Sequence, residues 1–370
     1  MSALFSPIRL GPLNLKNRIV IAPMCQYSAH DGNVSDWHLM HLGSLAQSGA
    51  GLLIIEATAV EARGRISPRD VGIWSEDNAA ALAPLLASLR RYSAMPIAIQ
   101  LAHAGRKASS QIPWQGGQLI AAADGGWETV APSALPHGAQ ETPPRALTQA
   151  DMLEVKQAFV VAAVRAQALG IDAIELHAAH GYLLHQFLSP LSNQRSDEYG
   201  GSLENRLRFP LEVFAAMKAA LPADYPLGIR ISASDWVEGA WDVEQSIVFA
   251  QALQELACAF IHVSSGGLSP QQKIPLQAGY QVDFAAAIKA ACRMPVIAVG
   301  LITEASHAEA IIANGQADMV AIARAILYNP HWPWQAAAAL GASVDAPPQY
   351  WRSQPRDQKA LFGTAAMGGR

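Results

Sequence analysis

Charge is scarce in this sequence of 370 residues: 15% are Asp, Glu, Lys or Arg, 26 cationic against 30 anionic, for a formal net charge of −4. An average domain carries about 25% charged residues. The charges form no blocks, so there is no footprint for nucleic acid or for an anionic membrane, and the expected partner is a small molecule. Cysteine is scarcer still. The three present, Cys25, Cys258 and Cys292, are far apart and odd in number. That argues against a disulfide framework and a structural zinc site, and excludes four-cysteine iron–sulfur ligation from this chain alone. Long apolar runs are missing as well. Gly49–Ile55 is strand-sized, and nothing approaches the ~20 residues a membrane-spanning helix needs. The first residues, Met1-Ser-Ala-Leu-Phe-Ser-Pro, lack a cationic stretch followed by an apolar one, so no secretory leader is expected and a cytoplasmic location follows.

What the chain has in quantity is apolar residues, 51% of the total, which rules out dominant disorder and argues against a coiled coil. These residues gather in eight short aliphatic or β-branched runs: Arg18–Pro23, Gly51–Glu56, Ile97–Leu101, Ala173–His177, Leu227–Ser232, Phe260–Ser264, Val296–Gly300 and Met319–Ile322. Helical text lies between them at Asp77–Arg91, Thr148–Leu169, Leu203–Ala220, Val243–Ala257, Phe284–Ala291 and Ala305–Asn314. Thr148 reads as an N-cap and Gly170 as a stop. Fully apolar strands suit a parallel sheet covered on both faces. The alternation predicts a (β/α)8 TIM barrel, so residues 1–340 form one domain where length alone suggests two.

Residues 103–147, rich in Gly, Pro, Trp and Ala, interrupt the rhythm and are too long for an ordinary βα loop. On a barrel such an insertion falls on the catalytic face as a lid, or is a mere excursion. Residues 341–370 read as a C-terminal tail lying on this molecule or on a neighbouring subunit.

A barrel's chemistry sits where its strands end. Those ends read Ala22-Pro-Met-Cys-Gln-Tyr27, Glu56-Ala-Thr58, Gln100-Leu-Ala-His103, His177-Ala-Ala-His-Gly-Tyr182, Arg230, Gly300 and Ala323-Arg324. His177 and His180 suit three uses: a metal pair, core packing, or two neutral imidazoles donating N–H to a substrate oxygen. Tyr182 is either a proton donor or a half-buried aromatic. Cys25 has no activating base nearby in sequence, so it is not a natural nucleophile. Gly300 and Arg324, with Ser264-Ser-Gly-Gly267, match the recurrent barrel phosphate site, and Arg230 in the barrel mouth asks for an anionic partner.

The run Gly170-Ile-Asp-Ala-Ile-Glu-Leu-His-Ala-Ala-His-Gly-Tyr-Leu-Leu-His-Gln-Phe-Leu-Ser-Pro190, with Asn193, Arg195, Asp197 and Glu198-Tyr-Gly-Gly-Ser-Leu-Glu-Asn-Arg206, resembles the Old Yellow Enzyme family of FMN-dependent ene-reductases. So does Ala22-Pro-Met-Cys25 with Tyr27. The resemblance runs from about Leu4 to about Arg352. Cys25 and the His-x-x-His pair are similar to the bacterial subgroup of xenobiotic reductases and thermophilic-like ene-reductases, where yeast-type members have Thr and His-x-x-Asn. The larger dienoyl-CoA reductases of this barrel are disfavoured, because their iron–sulfur cysteines are missing.

The resemblance implies non-covalent FMN as cofactor and NADPH as hydride donor. Ala22, Pro23, Met24, Cys25 and Ala57 would line the ring, Gln100 its pyrimidine edge, and Arg230 the N1/C2 region, while Gly300, Ala323 and Arg324 would hold the phosphate. It implies ping-pong hydride transfer through flavin N5 to an activated C=C bond of an α,β-unsaturated carbonyl, with nitro compounds or nitrate esters as further acceptors. His177, His180 and Tyr27 would bind the substrate oxygen and Tyr182 would protonate the α-carbon. The ending Gln349-Tyr-Trp-Arg352 resembles an element that carries an arginine into a neighbour's pocket, so Arg352 becomes a substrate-side candidate in a homodimer or homotetramer. Trp351 is the alternative inserted group. The different-class alternative is a metal-dependent barrel hydrolase using His177 and His180.

Overall fold

The computed structural model describes residues 2–363. Eight parallel strands close into a barrel: β1 Ile19–Ile21, β2 Leu52–Ala59, β3 Ile97–Ala102, β4 Ala173–Ala178, β5 Leu227–Ser232, β6 Ile261–Ser264, β7 Val296–Ala298 and β8 Met319–Ile322. Every residue of these strands is buried. The (β/α)8 expectation therefore holds, with strand positions within a few residues of those read from the sequence.

Helices cover the barrel on its outside: α1 Asp36–Ala46, α2 Glu76–Tyr92, α3 Gln149–Ala168, α4 Leu183–Leu188, α5 Leu203–Ala220, α6 Val243–Glu255, α7 Val282–Ala291, α8 Ala305–Ala313, α9 Arg324–Tyr328 and α10 Trp332–Ala339. Thr148 caps α3, accepting a hydrogen bond from Asp151 N–H at 3.1 Å. Sequence reading passed over α1, α4, α9 and α10. The last two are short, and α1 opens on exposed Trp37, Leu39 and Met40, which blur its apolar face. No helix among the described residues is long and apolar enough to cross a membrane.

The barrel interior is layered. An antiparallel hairpin, Ile8–Leu10 with Leu13–Leu15, was not foreseen; its Leu10 and Leu15 pack with Val20, Leu52, Ile54, Ala98, Ala173, Phe260, Ile297 and Met319, plugging the end where the strands begin. A methyl group at Gly228 would fall 2.5 Å from the Phe260 ring, so β5 carries glycine there to make room for it. Above this apolar layer lies a polar one, in which Gln100 Nε2 donates to Glu175 at 2.7 Å and Glu175 lies 2.8 Å from His262 Nδ1.

Between β3 and α3 the chain makes three 3₁₀ turns, Gly105–Lys107, Pro113–Gln115 and Ala122–Asp124, and a two-residue parallel pair, Val130–Ala131 with Arg145–Ala146. The tail as far as residue 363 packs Leu361 and Phe362 against Trp334 and Val344. Residues 364–370, part of the expected tail, lie outside the described residues.

Candidate active site

Strand register assembles the site. Across β2, β3 and β4 the pairing sets Ala57 beside Gln100 and Gln100 beside Glu175, and across β4, β5 and β6 it sets Arg230 between His177 and His262. Burial removes water from all of these groups. His177 Nδ1 accepts the Ala179 N–H at 3.2 Å, which leaves Nε2 to carry the proton. His180 stands perpendicular to it, ring centroids 5.2 Å apart, with Nε2 2.8 Å from Ser264 Oγ. Burial, reinforced by the charge of Arg230, holds both imidazoles well below their ordinary pKa. Both therefore favour the neutral form, and His177 Nε2 lies 3.4 Å from His180 Nδ1, so the two rings are linked to each other.

His180 has φ of +57°, a conformation only a supported turn maintains. The support is dense. Its N–H donates to Ser232 Oγ at 2.9 Å, and its carbonyl accepts from Lys107 Nζ at 2.8 Å. Gly181 N–H donates to His185 Nδ1 at 2.9 Å, and His185 Nε2 lies 2.9 Å from Asp235 Oδ1 in the interior. Tyr182 then caps α4 with its ring edge-to-face on His177 at 5.0 Å. Burial raises its phenol well above the usual range, with Arg230 acting in the opposite direction, so it keeps its proton.

On the opposite wall, Ala22 and Pro23 are buried and Met24 and Cys25 half-buried. Burial, with Glu56 and Asp70 adding to it, pushes the Cys25 thiol up, which suits a contact and not a nucleophile. Tyr27, also left-handed at φ +50°, meets the edge of Trp114 at 5.8 Å, and burial raises its phenol too. Where β7 and β8 end, Arg230, Gly300, Ala323 and Arg324 line one cavity of about 150 Å³ together with Ser264 and Tyr280. Gly300 holds φ of +129° there, and the buried Nε of Arg230 has no partner. An orphaned guanidinium beside a second arginine and a glycine turn fits a phosphorylated, charge-bearing cofactor.

Apart from Arg352, every sequence-nominated site residue is gathered at this end of the barrel. Arg352 sits on an exposed 3₁₀ turn, Pro348–Ser353. Beside it, Trp351 Nε1 donates to Ala346 O at 2.9 Å, and Tyr350 packs on Trp334 and His331. No group of three metal-ligating side chains forms among the described residues, and both ring nitrogens of His177 and of His180 already have a protein partner. The hydrolase alternative loses its support. Sequence reading missed Lys107, Ser232 and Trp114, and it nominated Ser264 for a phosphate without foreseeing its contact with His180. The Arg106-Lys107 pair next to a strand end was the one available signal.

A family model described as "NADH:flavin oxidoreductase / NADH oxidase family" matches residues 3–342. An NADPH dehydrogenase of Geobacillus sp. is 45% identical over 351 residues, covering 94% of this chain and 98% of that one. An NADPH dehydrogenase of Geobacillus thermodenitrificans is 44% identical over 353 residues, covering 95% and 98%. Among solved structures, morphinone reductase in complex with tetrahydroNAD superposes with a TM-score of 0.75 at 29% identity, covering 93% of this chain and 92% of its own. A 2-naphthoyl-CoA reductase complex gives 0.82 at 25% identity over 94% of this chain, which spans about half of that protein, 54%.

Proposed function

Because the chain belongs to the NADH:flavin oxidoreductase / NADH oxidase family and is an FMN-dependent oxidoreductase drawing on NADPH, we propose that its electron acceptor is an alkene activated by a carbonyl or nitro group. FMN, when bound, supplies the redox chemistry, taking two electrons and a proton from NADPH and returning them to the acceptor. Arg230, Gly300, Ala323 and Arg324 would hold its charged parts; Ala22, Pro23, Met24, Cys25 and Ala57 would pack on its ring. Gln100 donates its amide N–H to Glu175, which leaves its amide oxygen for the cofactor.

The observation that carries the reading is the cluster His177, His180 and Tyr182, two neutral imidazoles 3.4 Å apart beside a protonated phenol, with no metal-binding set among the described residues. The imidazoles, with Tyr27 opposite, bind the substrate oxygen and stabilise the negative charge that gathers on it, an effect worth several kcal/mol where water is excluded. Tyr182 delivers its proton to the α-carbon. The buried cations Arg106 and Arg230 add a positive field favouring that enolate-like charge. The decisive measurement is anaerobic reduction of the FMN-loaded enzyme by NADPH, followed by 2-cyclohexenone. Reoxidation by the enone supports the reading, and a reduced enzyme indifferent to enones sinks it.

Two variants test the parts. His177→Ala is expected to weaken binding of the phenolate of p-hydroxybenzaldehyde about tenfold or more, since one charge-assisted hydrogen bond is lost; an unchanged Kd removes His177 from the oxygen site. Arg324→Ala should lower FMN occupancy after dialysis, because α9 begins at this residue and its guanidinium lines the cavity. Full retention would place the phosphate elsewhere.

A further inference from the structure

The turn Gly105–Lys107 after β3 puts two consecutive cations among three loops. Arg106 donates to Leu135 O and Pro136 O at 3.2 Å and to Leu268 O at 2.9 Å. Lys107 Nζ donates to His180 O at 2.8 Å and to Gly267 O at 2.9 Å, and it lies 5.1 Å from the centre of the Tyr182 ring. None of these bonds goes to a carboxylate. Burial, with Arg106 adding to it, pulls the Lys107 ammonium down to about 8 and Glu141 offsets only part of that cost, so its place calls for an explanation beyond folding.

Both carbonyls that Lys107 holds belong to the tightest contact of the site. A methyl group on Gly267 would lie 2.6 Å from His180 Cα, and one on Gly181 would overlap the Gly267 carbonyl oxygen. Lys107 clamps the β4–α4 and β6–α7 loops at that contact, and the clamp fixes the left-handed His180. The same charge faces the aromatic ring whose oxygen has to lose a proton. A cation near an aromatic face is worth up to about 2 kcal/mol when desolvated, and it attracts a phenolate more strongly than a phenol.

We propose that Lys107 is a positioning residue for proton delivery, holding His180 in place and stabilising the phenolate that Tyr182 becomes. This rests on the reading of Tyr182 as proton donor. The O–H bond of Tyr182 breaks with its electron pair left on oxygen, the enolate's pair forms the new C–H bond at the α-carbon, and water returns a proton to the phenolate. Lys107 exchanges no proton; its role is electrostatic and geometric.

The test uses FMN-loaded enzyme and both half-reactions. K107M is expected to slow reoxidation by 2-cyclohexenone about tenfold and to affect reduction by NADPH far less, and K107R is expected to restore most of the rate. In a Y182F background, K107M should lose the share of its effect that runs through the tyrosine and keep only the smaller share that runs through the His180 clamp, so the two effects fall short of multiplying. Equal slowing of both half-reactions, failure of K107R to rescue, or K107M and Y182F effects that multiply would each overturn the assignment of Lys107 while leaving Tyr182 as donor. A Y182F enzyme that reoxidises at full speed overturns the Tyr182 reading and this one with it. FMN content of each variant reports folding.

Discussion

Tyr182→Phe is expected to slow the enone half-reaction about 100-fold, the lower end of what a positioned general acid contributes, and to slow flavin reduction by NADPH far less. The variant keeps the ring that packs edge-to-face on His177 at 5.0 Å and removes only the hydroxyl. Stopped-flow measurement of the two half-reactions separates the outcomes, and equal slowing of both contradicts the acid role. The pH dependence carries a matching expectation. Burial moves the phenol upward from 10.0 and the two imidazoles downward from 6.5. Tyr182 therefore stays protonated and both histidines stay neutral across that window, so none of the three contributes a limb to the rate profile between those values. If the profile shows a limb there that Tyr182→Phe abolishes, the phenol is ionising and the assignment fails.

The second large effect is expected at a residue with no side chain. Gly181 holds φ of +74° where an added methyl would overlap the Gly267 carbonyl oxygen. Gly181→Ala incurs about 1–2 kcal/mol for the left-handed backbone, and the overlap forces the His180 loop away from its partner. Near-attack geometry tolerates little such displacement. Enone turnover is expected to fall about 100-fold with FMN retained, because the phosphate-side residues Gly300 and Arg324 lie on other loops. Phenolate affinity should fall alongside, and native affinity in a folded Gly181→Ala enzyme would show that the two glycines are not what positions His180.

The sequence made the strands easy to find because a strand buried on both faces is written in apolar residues with no interruption. The strand ends were legible for a related reason, since polar residues directly after such runs have few roles outside chemistry. The helices were harder. The one following β1 presents Trp37, Leu39 and Met40 outward, which erases the two-faced pattern that marks a helix. The hairpin plug was invisible because Leu10 and Leu15 gain their meaning only from side chains on every quarter of the barrel. Lys107 escaped notice because its partners are backbone carbonyls 73 and 160 residues away, and backbone groups leave no trace in sequence.

The long signature from Gly170 to Arg206 divides in an informative way. His177, His180 and Tyr182 face the site, but Asn193 donates to Phe187 O and Tyr199 O at 2.8 and 2.7 Å, Arg195 pairs with Asp197, and Arg206 donates to the Leu188 carbonyl. Much of what makes the text specific is the bracing of the turn around α4. The chemistry occupies a small part of it.

Closure of the barrel lies between β8 and β1, where Val320 pairs with Ile19 and Arg18 donates to Asp318 O across 300 residues at 2.9 Å. Ser2, Ala3 and Leu4 all bond the Glu309 carboxylate on the same seam. Synthesis order and assembly order therefore part company. The strand made first waits for the strand made last, and during translation β1 has at most one neighbour and an open edge. Contacts so distant along the chain are expected to close late, so a growing polypeptide of this fold keeps that edge open until residue 322 has left the ribosome.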